Sequence, residues 1–223
     1  MSVLVVAATK GGVGKTTLAA AIAAEGSRRG KQVAVIDIDP QSSLGQWVDA
    51  RVEFQGKDDI RLIEVGDGKH LDRTLEAALQ GHHDLLVIDT PPGSIERTAL
   101  AVGVANLVLI PVRPSPIDVQ SMDAIAELAR EKGRDFVFVL NQTTPRSAMT
   151  EHARSYLSRL GPVLDVEIGS RQNYSRAMLD GLTAGEISNS APAEAEIVAL
   201  YDAIEKRLRA GARKVSAKAR IAS

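Results

Sequence analysis

The sequence predicts an α/β fold in which a mostly parallel, twisted sheet carries helices on both faces. Short apolar runs of strand length alternate with longer stretches of helical periodicity along most of the 223 residues. The short runs are apolar without interruption, which is typical of strands buried on both faces. A glycine-rich turn follows the first run and opens a helix, so an anion-binding loop belongs to the same architecture.

The elements follow one another in a regular order. Seven strands are predicted at Val3–Ala8, Gln32–Asp37, Ile60–Val65, Asp84–Asp89, Asn106–Val112, Phe136–Asn141 and Val163–Ile168. Helices are predicted at Thr16–Arg29, Leu71–Gln80, Ile95–Val104, Ile117–Lys132, Met149–Leu160, Tyr174–Leu182 and Pro192–Ala210. Strand–helix–strand alternation favours parallel pairing, and ligands of such sheets bind beyond the carboxyl ends of the strands.

Composition excludes several classes of site. The chain has no cysteine, which removes disulfides, thiolate zinc sites, iron–sulfur clusters and cysteine nucleophiles. Aromatic residues make up 3% of the chain, so a nucleic-acid surface built on base stacking is disfavoured. No apolar run approaches the roughly 20 residues of a transmembrane helix.

The charge is divided unevenly along the chain. The net charge of −1 combines a body at −8 with a segment from Lys206 onward that carries seven cations and no acid. We expect a single domain at residues 1–211 and a basic, flexible C-terminal tail at residues 212–223. Such a charge run is either a solvated, solubilising tail or a surface for a polyanion.

A phosphate site is predicted directly after the first strand. The motif reads Thr9-Lys10-Gly11-Gly12-Val13-Gly14-Lys15-Thr16-Thr17. Its glycines let backbone N–H groups approach an anion closely, and the following helix adds its positive N-terminal end. Lys15 is expected to reach the β- and γ-phosphates, and the Thr16 hydroxyl is expected to face Mg²⁺.

The motif departs from G-x-x-x-x-G-K-[ST] because Thr9 replaces the first glycine and Lys10 follows it. In this form it resembles the deviant Walker A motif of the ParA/MinD family of dimerising ATPases. The resemblance extends over nearly the whole chain and indicates the small ParA-like branch without an N-terminal DNA-binding domain. It implies a P-loop NTPase fold and a homodimer formed with ATP, in which Lys10 crosses to the partner's nucleotide. A solvated loop lysine is the alternative for Lys10.

Carboxylates end two of the predicted strands. Asp37 and Asp39 lie in a segment that resembles the family's switch I, and Asp89 ends a strand that resembles a Walker B strand leading into switch II at Thr90–Gly93. Acids placed there can bind Mg²⁺, partly through water, or orient the attacking water. The resemblance implies hydrolysis for Asp39 and the metal side for Asp37 and Asp89. Turn or helix-cap roles stay open for Asp37 and Asp39.

The strand ending at Asn141 indicates which base is bound. Guanine-specific relatives have an Asn-Lys-x-Asp turn, whereas this chain reads Asn141-Gln142-Thr143-Thr144 and lacks the aspartate. The resemblance therefore implies ATP, with Asn141 contacting adenine or, alternatively, forming only a turn. The loop Pro111–Asp118 resembles a dimer-face loop of the family, although a tight connection would explain it equally well.

DNA is the polyanion that the resemblance implies. In ParA-like proteins the ATP dimer binds nonspecific DNA, and a ParB-like or cargo-adaptor protein stimulates slow hydrolysis. Candidate DNA contacts are Arg171, Arg176, Arg213, Lys214, Lys218 and Arg220. The expected location is the bacterial cytoplasm, on the nucleoid and not on a membrane. The alternatives are a membrane-associated MinD-like ATPase and a metabolic ligase or kinase on the same scaffold.

Overall fold

A computed structural model describes residues 1–65, 70–120, 122–187 and 191–222, with only the backbone described at 120 and 214–222. It contains one seven-stranded sheet in the order β3-β2-β4-β1-β5-β6-β7, and every neighbouring pair is parallel. The strands are β1 Ser2–Val6, β2 Val33–Asp37, β3 Ile60–Ile63, β4 Leu85–Asp89, β5 Leu107–Val112, β6 Phe136–Thr143 and β7 Val163–Gly169. The predicted α/β fold class is confirmed.

Helices connect these strands and cover the sheet. They are α1 Lys15–Arg28, α2 Ser43–Gln55, α3 Leu71–Leu79, α4 Ile95–Val104, α5 Pro116–Gln120, α6 Asp123–Glu131, α7 Ala148–Leu160, α8 Gln172–Leu179 and α9 Ala191–Ala222. Among the described residues, no helix combines the length and the apolar character that a membrane span requires.

Alternate residues of each strand enter two separate cores. Leu4 and Val6 of β1 face the side where α1, α2, α8 and α9 pack. Val3 and Val5 of the same strand face the side of α3, α4, α6 and α7. Burial on both faces is the reason why the strand runs are uninterruptedly apolar. Because β1 is central, the loop that follows it emerges at the middle of the sheet's carboxyl edge.

Helix α2 was not predicted, although its Leu44, Trp47 and Val48 are buried at helical spacing. The signal is obscured because Val52 and Phe54, on the last turns of the same helix, are exposed. The predicted helix Ile117–Lys132 is instead two helices, α5 and α6. They face different surroundings, since α6 buries Ile125 and Leu128 on the sheet while α5 adjoins the loop after β1.

The last helix continues through the segment that we expected to be a tail. α9 runs to Ala222, and its apolar stripe of Ile197, Leu200, Tyr201, Ile204 and Leu208 is buried in the first core. The helix therefore anchors the basic terminus to the domain. The division of the chain after residue 211 stays a prediction.

Candidate nucleotide-binding site

The loop between β1 and α1 is shaped by two glycines in the left-handed region. Gly12 has φ +73° and Gly14, the residue before α1, has φ +91°. A Cβ at Gly14 would also lie 2.3 Å from the Asn141 amide nitrogen. Glycine is required at this position for both reasons, because the positive φ is strained for other residues and the space is taken. The loop therefore leads into the N-terminus of α1, and the positive end of that helix stabilises an anion bound there.

Lys15, the first residue of α1, is buried beneath this loop. Its ammonium donates to the Lys10 carbonyl at 3.1 Å. Burial lowers the pKa of Lys15 below its ordinary value, and attraction to Asp89 and Asp39 opposes this shift. A partly desolvated ammonium interacts strongly with an incoming phosphate because little water screens it.

Lys10 lies near the start of the loop, and its side chain contacts α5. Its ammonium donates to the Ile117 carbonyl at 2.9 Å and lies 3.2 Å from an Asp118 carboxylate oxygen. In this single chain, Lys10 is therefore held by α5 of its own subunit. The role across a dimer interface stays a prediction, and to fulfil it Lys10 must leave these two contacts.

Asp118, which was predicted only as the last residue of the loop Pro111–Asp118, is part of the site. Its buried carboxylate accepts hydrogen bonds from Arg113 Nε and the Ser115 hydroxyl, both at 2.8 Å, besides the contact with Lys10. Burial would raise its pKa, but the bonds from Arg113, Ser115 and Lys10 hold the pKa of Asp118 below its ordinary value. The spacing of Ser115 and Asp118 is that of a helix capping box, which was the available signal.

Asp89 and Thr16 form the best candidate for the metal site. The Thr16 hydroxyl donates to Asp89 Oδ2 at 2.6 Å, and Asp89 is 1% exposed. The other carboxylate oxygen, Oδ1, is buried and has no hydrogen-bond partner in the described part of the chain. An unsatisfied buried carboxylate oxygen beside a hydroxyl fits a hard cation such as Mg²⁺.

Burial raises the pKa of Asp89 to about 7; the bond from Thr16 opposes the rise and repulsion from Asp37 and Asp39 adds to it. Because an exposed aspartate in the unfolded chain has its ordinary pKa of 3.8, the metal-free native state holds this proton between about pH 4 and pH 7, whereas the unfolded state has lost it. The metal-free protein should therefore lose stability as the pH rises from about 4 to about 7.

We expect Asp89→Asn to remove that loss, since asparagine keeps an acceptor for Thr16 without the charge. In the presence of a chelator, the melting temperature of Asp89→Asn should match that of the wild type at pH 4 and exceed it by several degrees at pH 8. In a domain of this size, each kcal/mol of stability raises the melting temperature by about 2–4 °C. Thermal unfolding followed by circular dichroism measures both values, with the exposed Asp58→Asn as the charge-matched control. A difference between Asp89→Asn and wild type that is constant with pH would contradict the assignment.

Asp37 is occupied by the backbone that follows it. One carboxylate oxygen accepts the Asp39 N–H at 2.9 Å, and the other accepts the N–H groups of Leu44 at 2.7 Å and Gly45 at 3.2 Å. Burial raises the pKa of Asp37, and these three bonds oppose the rise. Asp37 thus caps the start of α2, and its predicted metal role would have to coexist with this function.

Asp39 makes fewer contacts and borders a cavity. Its carboxylate accepts the Gln41 N–H at 3.0 Å. It lines a cavity of about 450 Å³ together with Asp49, Glu64 and Arg97, beyond the carboxyl ends of β2 and β3. The segment between Asp37 and α2 therefore presents a half-exposed carboxylate whose negative charge acts on Lys15 of the phosphate loop.

Asn141 and Gln142 connect the end of β6 to the phosphate loop. The Asn141 side-chain amide donates to the Val13 carbonyl at 2.7 Å, and the Gln142 amide donates to the Gly12 carbonyl at 2.9 Å. The Asn141 side-chain oxygen accepts the Gln142 N–H at 2.9 Å. Both side chains thus hold the loop, and the adenine contact of Asn141 stays a prediction.

The predicted DNA contacts differ in their surroundings. Arg171 is paired with Glu196 through Nη2 at 2.6 Å, which offsets its charge. Arg176 and Arg213 are exposed and form no ion pair among the described residues. The side chains of Lys214, Lys218 and Arg220 lie outside the described residues, although their backbone is part of α9.

The family is identified by the match of residues 4–184 to the CobQ/CobB/MinD/ParA nucleotide-binding domain, which is more than half of the chain. The chain belongs to this family. The ParA/MinD resemblance inferred from the Lys10–Thr17 motif is thereby confirmed, and with it membership in a family of nucleotide-binding proteins.

Relatives of this ParA/MinD-family chain carry positioning and partition names. Maintenance of carboxysome distribution protein A from Halothiobacillus neapolitanus is 36% identical over 193 residues, covering 82% of this chain and 87% of that protein. Protein ParA from Rhizobium radiobacter is 29% identical over 160 residues, 68% of each chain. The chromosome-partitioning ATPase Soj from Thermus thermophilus is 33% identical over 128 residues, covering 47% of this chain and 51% of Soj.

Solved structures of the family share the fold. The cell-division ATPase MinD from Pyrococcus furiosus aligns with a TM-score of 0.77 at 20% identity, covering 92% of this chain and 98% of MinD. A complex of a Cyanothece McdA variant with ATP aligns with a TM-score of 0.70 at 20% identity, covering 90% of this chain and 96% of the McdA chain. At such identities the likeness establishes the fold alone.

Proposed function

We propose that this chain is an ATP-dependent dimerising switch that binds DNA without sequence preference as the ATP dimer and positions a cargo. Slow hydrolysis of ATP to ADP and phosphate, stimulated by a partner protein, would end each cycle. The observation that carries the proposal is Lys10, a second lysine at one phosphate loop whose ammonium contacts α5, whereas the Lys15 ammonium contacts the loop backbone.

Release of Lys10 toward a second subunit is electrostatically feasible. Asp118 would keep its bonds from Arg113 and Ser115 after Lys10 has left, so no buried carboxylate would be stranded without a cation. Lys10 would gain the negative charge of a nucleotide phosphate in exchange for one carboxylate contact. The single chain thus holds Lys10 in a position that a phosphate on a partner subunit can compete for.

The remaining charges suit phosphoryl transfer to water. Lys15 would neutralise the β- and γ-phosphates, and Thr16 with Asp89 would hold Mg²⁺, which reduces the charge that develops on the phosphates when it is bound. Asp39 would orient the attacking water, since its carboxylate is half-exposed and makes one hydrogen bond within the loop. Phosphoryl transfer needs positioning and charge neutralisation more than covalent chemistry, and these residues supply both.

Relatives support a positioning role and favour a protein body as cargo. The matched protein from Halothiobacillus neapolitanus is named for the maintenance of carboxysome distribution, and it aligns over 87% of its length. A second relative of that name, from Gloeobacter kilaueensis, is 31% identical over 183 residues. We propose a carboxysome-like protein assembly as the cargo, with a plasmid or chromosome as the alternative.

A binding experiment with random-sequence DNA tests the proposal. Affinity should be measured with ATP, with ADP and without nucleotide, at two salt concentrations, beside co-sedimentation with liposomes. We expect the chain to bind DNA in the presence of ATP but not with ADP or without nucleotide. The DNA affinity should fall steeply with salt, since counterions are released when DNA phosphates are neutralised. Equal DNA affinity with ATP and ADP at low salt would refute the switch, and ATP-dependent binding to liposomes would favour the membrane alternative.

The C-terminal basic cluster (Arg213, Lys214, Lys218 and Arg220) should supply part of the DNA affinity. Replacement of all four by glutamine should weaken binding of the ATP dimer by at least about tenfold at 100 mM salt and flatten the salt dependence. Dimerisation should persist, because the cluster lies beyond the buried stripe of α9. Light scattering with ATP and fluorescence anisotropy with a labelled duplex measure the two properties.

A matched control removes four exposed cations from other elements: Arg61, Arg73, Lys132 and Arg159. This variant has the same net charge as the cluster variant and should bind DNA more tightly than it does. Equal affinity of the two variants would mean that the terminal charges act only through the net charge of the protein.

A further inference from the structure

A second cavity, of about 300 Å³, adjoins the phosphate loop on the side of β6 and β7. Its inner wall consists of Gly14, Thr17 and Leu18 with Asn141 and Gln142, and its outer wall is the segment Gly169–Ser175. If the phosphates of a nucleotide lie in the loop, its base must lie to one side of the loop. This cavity has the size and the position to receive the base.

The inner wall is fixed by its bonds to the phosphate loop. The amides of Asn141 and Gln142 both donate to loop carbonyls, and a Cβ at Gly14 would collide with the Asn141 side chain. The side-chain N–H groups of both residues therefore hold the inner wall in place. The position of the outer wall depends on other contacts.

The outer wall is held from outside the cavity by one carboxylate. Glu196, on the first turns of α9, accepts the Tyr174 hydroxyl at 2.8 Å, Arg171 Nη2 at 2.6 Å and the Gly169 N–H at 3.2 Å. The three donors come from the end of β7, the following loop and α8. Burial, reinforced by the bond to Glu196, raises the pKa of Tyr174 far above its ordinary value, so the hydroxyl remains a donor throughout the physiological range.

The Glu196 carboxylate is thus hydrogen-bonded to three of the six residues from Gly169 to Tyr174. Gly169 also pairs with Thr143 of β6, the Ser170 N–H donates to the Thr143 carbonyl at 2.9 Å, and the Tyr174 hydroxyl lies 3.5 Å from the Ala193 carbonyl. A Cβ at Gly169 would lie 3.2 Å from Glu196 Oε1, so the loop is also packed closely on the carboxylate. The loss of one acceptor would leave three donors to compete for water or for each other's partners.

We propose that Glu196 is a positioning residue for the base of a bound nucleotide: it fixes the outer wall of the cavity at a distance that lets the base fill the space. The inference rests on the proposed function, because it takes a nucleotide as the ligand of the phosphate loop. Glu196 would not touch the nucleotide itself, since it reaches the cavity through Gly169, Arg171 and Tyr174. α9 would thereby support both the base and the basic terminus.

The test compares ligands that share their phosphates and differ in the base. Isothermal titration calorimetry should be performed with Mg²⁺ and ATP, ADP or inorganic tripolyphosphate on the full chain. For Glu196→Gln we expect the affinity for ATP and for ADP to fall by about tenfold, the loss of roughly one charge-assisted hydrogen bond. The affinity for tripolyphosphate, which has no base, should equal that of the wild type.

Glu194→Gln is the matched control, since Glu194 lies on the same turn of α9, is exposed and forms no side-chain hydrogen bond among the described residues. It should bind all three ligands like the wild type. Tyr174→Phe removes one donor without changing the charge and should lower ATP affinity while leaving that for tripolyphosphate unchanged. This second variant keeps the test informative if Glu196→Gln folds poorly.

The outcomes separate the inference from the proposed function. A wild-type chain that binds neither ATP nor ADP would refute the proposed function. If the wild type binds ATP and both variants bind it equally tightly, the positioning role is wrong while the function stands. Equal losses for ATP and tripolyphosphate would show that Glu196 only stabilises the fold, and this too would overturn the inference.

Discussion

We expect Lys15→Ala to lose ATP binding, with a Kd at least about 100-fold weaker than that of the wild type. Lys15 is 6% exposed, and burial already lowers its pKa, so its ammonium has given up much of its hydration before a nucleotide arrives. A charge prepared in this way interacts with phosphate at a low local dielectric, and water cannot replace it in the variant. Titration calorimetry with Mg²⁺ and ATP measures the loss.

Lys10→Ala is the matched control for that experiment because it removes the same charge from the same loop. It should retain most of the ATP affinity of the single chain, since the Lys10 ammonium is held by Ile117 and Asp118 of α5. It should instead fail to dimerise with ATP. If Lys15→Ala bound ATP normally, or if both variants lost binding to the same degree, the assignment of the two lysines would be wrong.

The sequence predicts those parts of the site whose chemistry requires particular residues at short, fixed spacings along the chain. The glycine loop, Lys15 and Thr16 are contiguous, and Asp89 ends a strand paired in register with β1 and β2, which brings it beside Thr16. The fold could be predicted for a similar reason, because burial on both faces leaves uninterrupted apolar runs.

The parts that the sequence did not predict depend on partners far apart in the chain. Glu196 is separated from Gly169 by 27 residues, and Asp118 lies more than 100 residues from Lys10, so no local motif indicates either contact. Arg51 is likewise buried in α2 with Asp59 and Glu186, an arrangement that only the tertiary fold brings together. The sequence left two roles open for Asp37, the metal side or a turn or helix cap, because a short polar residue before a helix suits both. The bonds that its carboxylate accepts from the N–H groups of Leu44 and Gly45 establish the helix cap.

Asp39→Ala should retain ATP and accumulate as a dimer. A residue that orients the attacking water or accepts its proton contributes about 10²–10⁴-fold to the rate, so ATP hydrolysis should fall by at least about 100-fold. The affinity for ATP should change little, because Lys15, Thr16 and the loop backbone remain. The fold should persist as well, since the variant loses only the hydrogen bond from the Gln41 N–H.

Phosphate release and light scattering in the same samples test both halves of this prediction. Asp49→Ala is the matched control, because Asp49 is an exposed acid that lines the same cavity as Asp39. It should hydrolyse ATP at the wild-type rate and return to monomers as ADP forms, whereas Asp39→Ala should remain dimeric with ATP and monomeric with ADP. An Asp39→Ala protein that stays monomeric with ATP would assign Asp39 to dimer assembly, and one that hydrolyses ATP normally would move the water-orienting role to another residue.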